Sequence, residues 1–580
     1  MAGEKSPKKK ISKLTEIKKP LIISSFVAAF AISGIIGGMY IFNITQKGEE
    51  NLLLIGMGWF PNSFDPLYNP DDSSFAPNNM LWSQIIEGLF EHNQSREDTP
   101  IIPCLAKDLG TWSPDGLNFT VPLRENVKFH DGTSFNAAAV KWNFDRLYRF
   151  IDIMPWRDRW VWYYMYEFPD GRAIINETLV IDEYTVRFVL NDPYGPLRAL
   201  LATFSSYFLS PTSTPENDYV DKFTGMLVGT GPFILDSYFM DPVYELGDNI
   251  TLRANKNYWE GRPKIDKVHF QYVGEDDSFE KMVARELHYT PRTSNLTILE
   301  FYQNTPNFTA VSYPVPAVFF VGLNNDIFPV EIRKAMSYAF NYSHFNDMMY
   351  DGRYPRCKSP IPPGIIYSNW SLNIAYTNLT IARQTLINAS WPGTGSLTAN
   401  DNISAGNEWE KLVDDDTPLA TYNFSMEEGR GGHMFQAYLL STYFKQIGIK
   451  IGQNNLTPQD WYEGLIGGKL EFYMAGWGAA FNDPVEILNP LYMDYGEFNH
   501  YNFTDLQVQT WITDGMMEVN ETKREQIYNK IQKTLVENLY PVIWTHLAIR
   551  SYVWSSNVKG IPIEGIPFKF ILKYAYLEEV

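Results

Sequence analysis

Apolar residues along this chain fall into two spacings, and the order of the spacings is the order of the expected elements. Leu52-Leu53-Leu54-Ile55-Gly56 is an apolar run of strand length. At 119–124, Val121 and Leu123 alternate with Thr120, Pro122 and Arg124, which suits a strand with one buried face. His130-Asp131-Gly132-Thr133 then supplies turn chemistry, because Asp bonds nearby amides and Gly132 can take positive φ. After the turn, Ala137, Val140, Lys141 and Phe144 fall at helical spacing. Residues 332–339 and 435–447 carry further helical stripes, and Gly448 reads as a C-cap glycine before the strand Ile449-Lys450-Ile451. A helix is expected at 523–539, with Tyr528, Ile531 and Leu535 on one face and Asn520 as its cap, before a strand returns from Pro541-Val542-Ile543-Trp544. Strands and helices intermix without an internal repeat, which is an α/β pattern.

One stretch departs from that scale. Residues 20–46 are uncharged and 21–42 are mostly apolar; as a helix the latter would measure roughly 33 Å at 1.5 Å per residue, enough to cross a bilayer. Lys5, Lys8, Lys9, Lys10, Lys13, Lys18 and Lys19 precede it. The excess of positive charge predicts a basic cytoplasmic tail at 1–20, a single transmembrane anchor at 21–44, and a main body outside the cell. A cleaved signal is the alternative; its apolar region would be long, and the only A-x-A triplet, Ala29-Phe30-Ala31, lies inside the run. No Cys stands near residue 45 to carry a lipid.

At 580 residues and 66.8 kDa the chain has length for two or more lobes. Aromatics at 15% suit both a core and a surface that clasps a ligand through ring faces. The net charge of −19 argues against nucleic acid as a partner. Asn-x-Ser/Thr triplets recur throughout, among them those at Asn295, Asn341, Asn378 and Asn520, and predict a glycosylated surface protein. Cys104 and Cys357 are the only thiols, and two residues give no spacing that decides whether they pair. The eight His residues form no H-E-x-x-H, and no G-x-S-x-G occurs, so hydrolysis has no matched motif and the chain is expected not to be an enzyme. Gly229-Thr230-Gly231-Pro232-Phe233 fails as a phosphate loop because no Lys-Ser/Thr follows, and neither a cofactor nor a metal is expected.

The order of short motifs carries more. Residues 119–146, FTVPLRENVKFHDGTSFNAAAVKWNFDR, resemble the signature of the family 5 extracellular solute-binding proteins, the peptide- and nickel-binding components of ABC importers. The resemblance continues upstream in Phe64-Asp65-Pro66, Ile86-Glu87-Gly88-Leu89, Pro103-Cys104-Leu105-Ala106 and Trp112-Ser113-Pro114-Asp115-Gly116. Downstream it includes Gly229 to Phe233, Arg253-Ala254-Asn255-Lys256-Asn257-Tyr258-Trp259, Ile332-Arg333-Lys334-Ala335 and Ser359-Pro360-Ile361-Pro362-Pro363-Gly364. It implies a two-lobed α/β fold, that of the type II periplasmic binding proteins, with a discontinuous first lobe. The expected divisions are 51–82, 228–312 and 541–580 for the first-lobe core, 83–227 for its subdomain, and 313–540 for the second lobe. An anchored, sequon-rich member without a lipid Cys looks archaeal. The implied function is capture of an oligopeptide or oligosaccharide between the lobes for a permease and an ATPase on separate chains; a surface receptor or adhesion module without transport is the alternative.

For the site, Gly476-Trp477-Gly478-Ala479-Ala480-Phe481-Asn482-Asp483-Pro484 is similar to the family's G-W-x-x-D-x-x-D-P. The resemblance makes Gly476, Trp477, Asn482 and Asp483 candidate ligand contacts. In the family's peptide binders the first Asp of this motif holds the ligand's α-amino group, and Ala480 stands there instead. Its dipeptide binders place an Arg just before the helix expected here at 435–447, where this chain has Glu427 and Glu428, with Arg430 slightly later as a further candidate.

Overall fold

The computed structural model describes residues 51–579 apart from 59, 62, 69–74, 97, 154–163, 222–224, 241–246, 291–294, 401–406 and 563–569. The expected tail at 1–20 and anchor at 21–44 lie outside the described residues, and among those described no helix is long and apolar enough to cross a membrane.

The first apolar run forms β1 (Leu52–Met57). Thr111–Trp112, Asn118–Pro122, Ile175–Asp182 and Thr185–Leu190, taken as β2 to β5, then build a small antiparallel sheet of order β2-β3-β5-β4. Alternation is visible in β3, where Phe119 and Val121 are buried between half-buried neighbours. The signature helix α1 (Ala137–Ile153) covers this region. β6 (Phe233–Phe239), β7 (Asn249–Ala254), β8 (Lys267–Tyr272) and β9 (Tyr289–Thr290) return the chain to β1, with β8 and β9 parallel to it on either side.

β10 (Phe308–Leu323) crosses into the second lobe, which holds β11 (Ala420–Glu427), β12 (Ile449–Leu456) and β13 (Phe472–Gly478), and β14 (Val542–Ser555) comes back. β10 and β14 pair along both halves, but their register shifts between Pro314 and Val318 and again between Val318 and Phe320. Pro314 and Pro316 account for the first break, since proline has no N–H to give the ladder. One ten-stranded sheet of order β12-β11-β13-β10-β14-β9-β1-β8-β7-β6 therefore runs through both lobes, its ladder interrupted where the two crossing strands shift register.

Separate cores lie on each side of the crossing. Leu53, Ile55, Phe119, Val121 and Phe270 belong to a first-lobe cluster; Phe328, Ile332, Phe424 and Leu440 form one second-lobe cluster, and Ile487, Tyr528, Ile531 and Trp544 another. Each such fully buried large side chain contributes roughly 1.5–3 kcal/mol. The second-lobe helices that matter below are α2 (Gly431–Lys445), α3 (Val485–Tyr492), α4 (Leu506–Met517) and α5 (Glu521–Thr534). The stripe expected at 435–447 starts four residues earlier and ends at Lys445, ahead of Gly448 at φ +73°. The stripe expected at 523–539 is α-helical to Thr534 and widens into a π turn, Leu535–Leu539. Asn520 caps it, accepting from Lys523 N–H, and Asn295, Asn341 and Asn378 cap helices in the same way. Some of the Asn-x-Ser/Thr triplets thus double as cap sequences.

Candidate functional site

β11 runs parallel to β12 and β13, so the carboxyl ends of all three open on one edge of the second lobe. In open α/β sheets, ligands gather outside that edge. The prolines of β10 meet it: Gly478 pairs with Ala317, and Ala479 N–H donates to Pro316 O at 2.8 Å. The loop that follows β13 is therefore fastened to the loosened point of a crossing strand.

The G-W motif is built into this junction. A Cβ at Gly476 would lie 2.7 Å from the Phe319 ring, so only glycine lets the two strands pack. Trp477 is half-buried; its Nε1–H donates to Glu486 O at 2.5 Å, and its ring packs on Phe498 at 4.0 Å between centroids. Asn482 and Asp483 are fully buried. Asn482 donates from Nδ2 to Thr99 O of the first lobe at 3.1 Å and accepts Ile366 N–H at 2.7 Å. Asp483 pairs with Arg524 on α5 through both carboxylate oxygens, at 2.9 and 3.0 Å, and accepts Val485 N–H at 3.1 Å. Burial alone would lower the Arg524 pKa, but Asp483 reverses that and holds it above the ordinary range. Asn482 and Asp483 thus face protein partners that hold the loop. Arg430 sits one strand away at the start of α2, 62% exposed and ion-paired with Glu427 at 2.7 Å. The structure brings Gly476, Trp477, Asn482 and Asp483 into one loop and places Arg430 along the same edge.

Glu486, on the first turn of α3, was not visible as a site residue from the sequence. It is 5% exposed, and among the described residues its carboxyl accepts one hydrogen bond, from Ala480 N–H to Oε2 at 3.2 Å. Burial, reinforced by the Asp483 charge, pushes its pKa up to about 8 despite that bond. The first lobe comes close here. Tyr194 is buried, its hydroxyl pKa raised by burial and then by the charges of Asp483 and Glu486. Gly195 N–H donates to Met516 O at 2.8 Å, and Arg198 pairs with Glu521 at 2.7 Å. The lobes therefore touch beside the loop as well as through the crossing strands.

The His-Asp-Gly turn is arranged differently. His130 N–H donates to Gly229 O at 2.8 Å and its Nε2–H to Gly231 O at 2.9 Å, while Nδ1 accepts Gly229 N–H at 3.4 Å. Burial holds the imidazole pKa down at about 4, so it is neutral at physiological pH. Asp131 accepts from Ser210, Ser213 and Thr133; burial would raise its pKa, but those bonds outweigh it and bring it to about 2. Gly132 takes φ +88°. A Cβ at Gly231 would lie 2.6 Å from Gln84 O, which accounts for glycine in the Gly-Thr-Gly bend that the turn grips. Cys104 and Cys357 are both buried and form no disulfide, Cys104 Sγ–H pointing to Glu87 Oε1 at 3.8 Å and the Cys357 thiol pushed up to about 12 by burial. Among the described residues no group of three or more His, Cys, Asp or Glu is placed to hold a metal ion.

Comparison with known proteins agrees with this architecture. The family model described as bacterial extracellular solute-binding proteins, family 5, middle, matches residues 100–499. The chain is 21% identical over 539 residues to the probable D,D-dipeptide-binding periplasmic protein DdpA of Escherichia coli, covering 91% of this chain and 93% of that one. It is 23% identical over 537 residues to the glutathione-binding protein GsiB of Pectobacterium atrosepticum, covering 87% and 90%. Among solved structures, HbpA2 from Haemophilus parasuis superposes with a TM-score of 0.74 at 20% identity, covering 91% of this chain and all of that one.

Proposed function

Because the chain belongs to the family 5 extracellular solute-binding proteins, whose members bind rather than transform their solutes, we propose that it captures an oligopeptide between its lobes and hands it to an ABC permease driven by a separate ATPase. The observation that carries the reading is the junction of β13 with the crossing strand β10, where Ala479 N–H is bonded to Pro316 O. A solute lodged at residues 476–486 there bears directly on the segment where the lobes would hinge. Closure then follows from differential affinity, since a solute touching both lobes favours the conformation that brings them together. Gly476, Trp477 and Arg430 are assigned to the solute-facing edge, with Asn482 and Asp483 holding the loop behind them. The domain divisions 51–82, 228–312 and 541–580, 83–227, and 313–540 go with this reading, supported by the two crossings at β10 and β14. So does an anchor at 21–44, which would keep the binding body at the cell surface.

An oligopeptide is preferred to an oligosaccharide on two grounds. The relatives named for D,D-dipeptide and glutathione bind peptides or peptide-like solutes. Phe498 also covers one face of Trp477, which reduces the open aromatic surface a sugar ring would stack on. Thermal unfolding of the full chain with a pool of di- to pentapeptides, and separately with oligosaccharides, tests the reading. Peptide at about 100 times its Kd should stabilise by about 2.7 kcal/mol; a shift with oligosaccharide alone, or with neither, counts against it.

A further inference from the structure

The Asn-x-Ser/Thr triplets do not all present their acceptor nitrogen alike. An Asn side chain accepts through Oδ1 and donates through Nδ2, and it is Nδ2 that carries a sugar when a hydroxyl stands two residues on. Asn295 caps the helix Leu296–Gln303 through Oδ1, which accepts Thr297 and Ile298 N–H at 3.0 and 3.3 Å. Asn520 caps α5 through Oδ1 in the same way, accepting Lys523 N–H at 3.1 Å. Asn388 ends the helix Leu379–Asn388 and accepts Gln384 Nε2–H through Oδ1 at 2.7 Å. Asn455 lies on β12, the outermost strand of the ten-stranded sheet. All four are exposed, as are Thr297, Ser390, Thr457 and Thr522 two positions on. Among the described residues none of the four gives its Nδ2–H to protein. Three other triplets are closed, their Asn residues half-buried. Asn369 Nδ2 donates to Asn529 Oδ1 at 2.8 Å. Asn423 Nδ2 donates to Glu471 Oε1 at 3.1 Å, and its Oδ1 lies where a Cβ at residue 452 would collide with it, so Gly452 makes room for the amide. Asn502 Nδ2 is held among Asp326 Oδ2, Gly468 O and Asn324 Oδ1 at 2.9, 3.2 and 3.3 Å. A sugar on any of these three would displace a protein partner.

We propose that Asn295, Asn388, Asn455 and Asn520 carry N-linked glycans in the mature protein, and that Asn369, Asn423 and Asn502 stay bare. Such modification fits a chain of an extracellular family, and the assignment is independent of which solute is captured. The donor is an oligosaccharide activated as its polyprenyl phosphate ester. Nδ2 bonds to the anomeric carbon, the bond from that carbon to the phosphate oxygen breaks, and its electron pair leaves with the phosphate. One Nδ2 proton is lost to base, the other N–H stays, and nothing is oxidised or reduced. Because a cap uses Oδ1 alone, Asn295 and Asn520 keep their helix caps when Nδ2 is substituted. At Asn502, by contrast, substitution would remove a donor that three protein oxygens share.

The test is mass spectrometry of intact glycopeptides from the full chain purified from its own cells, beside the same chain made in a host that lacks the glycosyl transfer. In the first preparation, peptides containing Asn295, Asn388, Asn455 and Asn520 should carry sugar in most copies, and those containing Asn369, Asn423 and Asn502 should not. In the second, all should be bare. Thr297→Val and Thr522→Val remove the hydroxyl but leave the Asn caps in place. Each should abolish sugar at its own site alone, with the melting temperature of the unglycosylated chain unchanged. If a variant does not accumulate, the site map of the unsubstituted chain decides. Absence of sugar from the four open positions, or sugar in comparable amounts at the three closed ones, overturns the proposal. Sugar that persists on Asn295 in Thr297→Val, or on Asn520 in Thr522→Val, overturns it as well. Peptide capture stands or falls separately, on the thermal shift of the full chain with peptide.

Discussion

The turn at 130–133 and the loop at 480–486 each bury titratable groups beside a tight bend, and they treat those groups in opposite ways. In the turn every named polar group is answered from within the first lobe: His130 by Gly229 and Gly231, Asp131 by Ser210, Ser213 and Thr133. In the loop, Asp483 has Arg524, but among the described residues the Glu486 carboxyl has only the Ala480 amide. On the proposed function, the difference separates a motif that is scaffold from one that meets the solute. A set of buried polar groups that satisfies itself needs no solute, whereas a buried acid left short of partners holds its proton.

Four substitutions break or sharpen that contrast. The largest effect is expected from Arg524→Leu, which leaves Asp483 buried without its cation; breaking such a pair costs about 3–5 kcal/mol. Urea unfolding should show that loss, and a change below about 1 kcal/mol would mean the loop is held by something else. Next, Glu486 has a higher pKa in the folded chain than in the unfolded one, so the folded state binds the proton more tightly. Its contribution to stability is therefore full below about pH 4.5 and falls as the pH rises towards about 8. Glu486→Gln should flatten that fall in denaturation curves recorded across the range. An unchanged pH profile would show that Glu486 ionises freely and that the two regions do not differ as described. On the scaffold side, Gly231→Ala drives a Cβ against Gln84 O and should cost about 1–3 kcal/mol in unfolding experiments while leaving the affinity of the folded fraction intact. The smallest effect belongs to Trp477→Phe, which removes the bond to Glu486 O and should lower stability by about 1 kcal/mol; calorimetry should also show weaker peptide binding.

Much of the fold was legible because local periodicity and burial agree. Val121 and Leu123 announce their strand, Ala137 to Phe144 their helix, and Asn520 its cap, since each depends on residues within a few positions. The start of α2 was less legible: the apolar stripe is expected from 435, yet α2 begins at Gly431. The site was legible only as a stretch of chain. Gly476 and Trp477 were found by resemblance, but the Asn482 contact with Thr99 and the Asp483 contact with Arg524 are made by residues far along the chain. Glu486 was hidden for the same reason. Nothing local in Val485-Glu486-Ile487-Leu488 marks a buried acid, and the first lobe approaches it around Tyr194.

Hydrogen exchange with and without a saturating pool of di- to pentapeptides tests the central distinction most directly, because it reads both regions in one sample. The account predicts added protection at 476–486 and 427–433, with the crossing segments 315–318 and 547–550 following, and no change across 119–146. Protection that appears at 119–146 while 476–486 stays unchanged would contradict it.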